Sequence, residues 1–231
     1  MQLQQNSAKH LTIYGGILVG ALHFLIGQSP VVYGLELTNL FFYMDIIPFI
    51  LGVVGYSAIG LADHLMGGGK WFLKANRLLG LQSLLAASAV VGYWHIPLGS
   101  PLGFGLCPAD LTNSSLYMLR RWAYIGVGIL LYMGLRQFSP TFREAFAIGV
   151  GKAMGWYGLY LALLDKPIYL APPIYFSLAD HHITGFAMLI MMVFLDFIAV
   201  TLLVRQLFRG KPSKPYPYPT IADGQIPENN P

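Results

Sequence analysis

Charge is what this sequence has least of: only 10% of its 231 residues are Asp, Glu, Lys or Arg, against about 25% in an ordinary soluble domain. So few charges cannot solvate the surface of a water-soluble globule, and the 55% hydrophobic content and mean hydropathy of +0.58 agree. Cysteine is nearly absent as well. The single Cys107 excludes an internal disulfide and any multi-cysteine zinc or iron–sulfur site. There is no phosphate-binding loop: Gly67-Gly68-Gly69 lacks the surrounding motif and reads as a turn before Lys70. No Ser/His/Asp spacing points to a nucleophile, so the chain is expected not to be an enzyme in its own right.

What is present is a series of long apolar runs, at 11–27, 40–62, 78–94, 117–135, 145–164 and 183–204, separated by turn and breaker clusters such as Gln28-Ser29-Pro30, the 97–108 stretch, Ser139-Pro140 and Pro172-Pro173. Each run is near the roughly 20 residues needed to cross the hydrocarbon of a bilayer. In lipid only helices or closed barrels satisfy the backbone, and these runs are too long and continuous for barrel strands. The expected fold is therefore all-α, a polytopic transmembrane bundle of about six helices. A cytoplasmic segment at 1–10 precedes the membrane domain at 11–205, and a Pro-rich tail follows at 206–231. The first run follows polar residues without a small-residue cleavage site, so it is expected to be a retained helix. The tail, with its Pro-Tyr-Pro-Tyr-Pro stretch, is expected to be extended and solvated.

Of the 14 Lys and Arg residues, all but Arg120, Arg121 and Lys166 fall on the side of the N-terminus in this scheme. The positive-inside rule then places both termini in the cytoplasm and the protein in the plasma membrane as a multi-pass chain. The net charge of +4 lies in short loops between apolar runs, without a basic patch of interleaved aromatics. It reads as a topology signal, with the lipid bilayer as partner and no nucleic acid.

Ionisable residues at the edge of a membrane span are costly and mark candidate sites. Five segments supply them on the outer side: His23, Asp45, His95, Arg120 with Arg121, and Asp180-His181-His182. Arg120 and Arg121 are also placed to anchor lipid phosphate. A helix beginning near Asp180 puts His181, Thr184, Gly185, Met188 and Met192 on one stripe. Imidazole with thioether suits copper or haem iron better than magnesium or calcium, and Met44 and Met118 lie at the same level. Two adjacent histidines point about 100° apart on a helix, so at most one of His181 and His182 faces a given ligand. Asp196, in the middle of the last run, needs a partner that the sequence does not reveal.

The segments Tyr93-Trp94-His95-Ile96-Pro97-Leu98, Leu119-Arg120 and Asp180-His181-His182-Ile183-Thr184-Gly185, with Met188 following, resemble the CtaG family of cytochrome c oxidase assembly factors. The resemblance spans residues 40–204 and extends to similarly organised membrane-protein families of unknown function. It implies a membrane accessory protein that handles copper during assembly of a respiratory haem-copper oxidase. His95, Asp180, His181, His182 and Met188 are the implied metal positions, with Asp180 orienting an imidazole. The family's early histidine-rich segment is here only Tyr43-Met44-Asp45, and the chain is short for the family. Two other readings stand beside this one. A redox subunit would hold b-type haem between His23 or His95 and His181 or His182, with Arg120 near the cofactor. A structural subunit or small-solute transporter would carry no cofactor, and no inverted repeat favours a transporter.

Overall fold

The computed structural model describes residues 30–65, 77–97, 106–171 and 173–208. The run at 11–27, His10, His23, the Gly67–Gly69 turn and most of the Pro-rich tail lie outside the described residues.

The described chain is almost entirely helical. Pro30–Thr38 forms a short helix, α1; Phe42–Ile46 is a π-helical turn leading directly into α2, Ile47–Leu65; α3 is Arg77–His95. A 3-10 turn at Ala109–Thr112 precedes α4, Ser114–Arg136, followed by α5, Pro140–Ala162, and α6, Leu178–Phe208. Between α5 and α6 sits a two-residue hairpin, β1 (Leu170–Ala171) antiparallel to β2 (Ile174–Tyr175), with Leu170 opposite Tyr175.

Helix starts follow local chemistry. Asn113 caps α4, its Oδ1 accepting from the backbone N–H groups of Ser115 and Leu116 at 3.0 and 3.1 Å. Ser139 caps α5 with Pro140 in the first turn, where its missing N–H costs nothing. At α6, Ser177 and Asp180 form a capping box: Asp180 N donates to Ser177 Oγ, and the Asp180 carboxylate accepts from the Ser177 N–H and hydroxyl. These caps start α4 and α6 earlier than the apolar runs suggest, by three residues for α4 and five for α6.

Backbones approach closely where side chains are smallest. On α2, a Cβ on Gly55 would run into the Ile125 carbonyl of α4, and one on Gly128 of α4 would collide with the Gly52 carbonyl and lie 2.7 Å from Tyr56 N. The α5–α6 contact is similar: a Cβ on Gly158 would lie 2.7 Å from Met188 Cβ and 2.8 Å from the Gly185 carbonyl oxygen. Small residues at a crossing are how apolar helices pack in lipid, where no hydrophobic force draws them together. Two tight groups result, α2–α4 and the α5–α6 pair. They join at one end through a core of Leu40, Tyr43, Met44, Cys107, Tyr169 and Met188 with their neighbours.

Two stretches, Phe42–Asp63 and Leu178–Arg205, are long and apolar enough to cross a membrane by length and composition, with mean hydropathies of 1.8 and 2.6. Only 11% of the apolar window in the second is buried within the protein, and Ile190, Phe194 and Phe197 stand outward along it. Large contiguous apolar faces of this kind mark contact with lipid or another apolar surface.

Candidate functional site

At the end where the two groups join, α4 presents Tyr117, Arg120, Arg121 and Tyr124 on one buried stripe, the i, i+3, i+4, i+7 spacing of a single helix face. Both guanidinium groups are nearly fully enclosed, and so are the two carboxylates facing them, Glu36 from α1 and Asp110 from the 3-10 turn. Arg120 pairs with Asp110 at 3.0 Å and lies 3.5 Å from Glu36 Oε1, while Arg121 meets Glu36 Oε2 at 2.6 Å. Tyr117 donates to Glu36 at 2.5 Å, Tyr43 donates to Asp110, and Arg120 also donates to the Tyr43 carbonyl. The Arg120 guanidinium stacks 3.7 Å over the Tyr43 ring, and that of Arg121 lies 4.4 Å over Tyr117. Two positive and two negative charges cancel, which makes burial tolerable. Arg120 and Arg121 thus face into the protein, where the sequence also allowed lipid phosphate.

The histidine-bearing segments meet around Tyr169. The Tyr169 hydroxyl donates to the His95 carbonyl at 2.7 Å, and the Tyr157 hydroxyl also reaches that carbonyl, at 3.2 Å. The Tyr169 backbone N–H donates to His181 Nε2 at 3.1 Å, as does that of Ile168, and the two rings of Tyr169 and His181 stack at 5.5 Å. His181 Nδ1 lies 2.7 Å from the Ser177 carbonyl. These partners fix the neutral tautomer with the proton on Nδ1, and the single lone pair on Nε2 is shared by two N–H donors. His181 therefore ties the α5–α6 connection to the start of α6. His182 Nε2 donates to the Leu164 carbonyl at 2.9 Å. Asp180 belongs to the capping box, and Met188 is buried against Gly158. Burial pushes the Tyr169 phenol well above its ordinary value, keeping its hydrogen in place as a donor.

His95, Asp180, His181 and His182 are thus gathered at one end, as the sequence suggested, each in contact with backbone groups there. Among the described residues, no three His, Cys, Asp or Glu side chains come together as a metal-holding group. Asp45, in the π-helical turn, has a buried Oδ2 without a hydrogen-bond partner among the described residues. Asp196 finds its partner on α5, in Lys152. Sequence reasoning did not single out Glu36 and Asp110. The available signal was the Arg120-Arg121 pair itself, because two adjacent arginines in an apolar setting require two acids.

No protein-family model, no curated protein and no solved structure matches the chain.

Proposed function

We propose that the chain is a multi-pass plasma-membrane protein of about six spans with both termini in the cytoplasm. In this reading it serves as an accessory protein that handles copper for the assembly of a respiratory haem-copper oxidase. The observation that carries the reading is the meeting of α3, the α5–α6 connection and α6 around Tyr169, which gathers His95, His181 and His182 at a single end. The distribution of Lys and Arg makes that end the outer one. The outward apolar faces of α2 and α6 support membrane insertion. The closed, neutral Arg–carboxylate network supports a scaffold for the outer end, since its charges are already matched within the protein.

Copper in this reading is cargo, held near His95 and passed on. Asp180 and His181 shape the end of the bundle through the capping box and the Tyr169 contacts. Detergent-purified protein should bind copper close to one per chain on addition of copper(I), without an absorption band of haem. Iron with a Soret band would replace this reading by a b-type haem subunit. Neither metal would leave a structural or transport role.

A further inference from the structure

Three donor-bearing segments converge beside His95. Met44 belongs to the π-helical turn and Cys107 to the strand-like residue whose backbone bridges Pro97, two positions after His95. The Cys107 thiol donates to the Met44 thioether at a sulfur–sulfur distance of 3.5 Å, and both residues are almost fully buried. The Tyr43 hydroxyl also reaches the thiol. The His95 Nδ1 lies 2.6 Å from the Val91 carbonyl, and the Met44 backbone carbonyl faces the same imidazole. A neutral imidazole has one N–H and cannot donate to both carbonyls. One ring lone pair is therefore set against a carbonyl, so the place is rich in electron pairs and short of protons. That is the condition a bound cation relieves.

We propose that Met44, Cys107 and His95 form a soft-donor site for a single copper(I) ion; this rests on the copper-handling reading above and names its ligands. Thioether and thiolate are ligands that select copper(I). With metal–sulfur bonds of about 2.3 Å, as for zinc thiolate, a 3.5 Å sulfur separation subtends an angle of roughly 100° at the metal, near tetrahedral. Charge selects the ion too. Copper(I) displaces the Cys107 proton, forming the sulfur–copper bond and releasing one proton to the buffer with no change of oxidation state. Thiolate plus a monovalent cation is neutral, whereas a divalent ion would leave a net charge in a buried apolar place.

The test uses full-length protein in detergent, with copper(I) supplied under reducing conditions against a chromogenic copper(I) chelator, and X-ray absorption at the copper edge. Wild-type protein should bind one copper(I) with two sulfur scatterers. Cys107→Ser and Met44→Leu should each weaken binding by no less than the roughly 10- to 100-fold that outer-shell changes cost. Because either variant could misfold, helix content is checked by circular dichroism, and the wild-type scattering shell gives a result that needs no variant. Copper bound with only nitrogen and oxygen neighbours, or unweakened binding in folded Cys107→Ser, would overturn this site and leave copper handling standing. Absence of copper binding altogether would overturn both.

Discussion

Replacing Glu36 by Gln would leave Arg120 and Arg121 facing Asp110 alone, with an uncompensated positive charge where these side chains are at most 4% exposed. Breaking a buried ion pair by removing one partner costs about 3–5 kcal/mol. Glu36 touches both guanidinium groups and the Tyr117 hydroxyl, so the loss should sit in the upper part of that range. In a chain of this size each kcal/mol lowers the unfolding midpoint by about 2–4 °C, giving a drop of roughly 6–20 °C. Thermal unfolding in a mild detergent, followed by the fluorescence of the four tryptophans, reads this directly. Adding Arg121→Gln should restore charge balance, so the double variant should lose less than the two single variants together by about 0.5–3 kcal/mol. A Glu36→Gln midpoint equal to wild type, with additive double-variant losses, would refute the view that these charges stabilise one another.

Gly128→Ala should destabilise by about 1–3 kcal/mol, because its Cβ collides with the Gly52 carbonyl of α2, while Gly126→Ala on the same helix meets nothing within 4 Å and should be neutral or slightly stabilising. Equal effects in the same unfolding assay would contradict the close crossing. Asn113→Ala should cost about 1 kcal/mol through loss of the cap on α4, and an unchanged midpoint would deny the cap its role. Burial pushes the Cys107 thiol and the Tyr169 phenol above their ordinary values. Both stay protonated in the folded protein and ionise more readily when unfolded. The stability this provides is full below about pH 8.5 for the thiol and about pH 10 for the phenol, and falls as pH rises beyond those values. A midpoint that does not fall between about pH 8 and about pH 11 would contradict both burials.

Helix positions were legible in the sequence because apolar runs are bounded by breakers. The runs at 78–94, 117–135 and 145–164 fall inside α3, nearly inside α4 and almost wholly inside α5. What the runs miss is polar. Asn113 and the Ser177–Asp180 box extend α4 and α6 through residues that lower hydropathy while satisfying the first-turn N–H groups. For this reason Asp180 sits three residues after the cap Ser177. The nine-residue α1 is too short to register as a span, so Glu36 was hidden in a connection, as Asp110 was in the stretch after Pro97. The Lys152–Asp196 partnership needs the register of α5 against α6. Gly151, Gly155 and Gly158, spaced four and three apart, encode that register, with Asp196 Oδ1 3.4 Å from a Cβ placed on Gly151. The gathering of His95 with Asp180, His181 and His182 at one end was legible from topology alone. Their backbone partners were not, because they come from loops whose conformation no periodicity specifies.

The orientation of that end is tested most directly by labelling single cysteines in intact expression-host cells. In a Cys107→Ser background, Thr112→Cys lies on the exposed turn before α4 and Thr141→Cys at the opposite end, in the first turn of α5. A membrane-impermeant maleimide should label position 112 in intact cells and position 141 only after the membrane is opened. Labelling of both positions in intact cells, or of 141 alone, would contradict a membrane bundle whose histidine-bearing end faces outward.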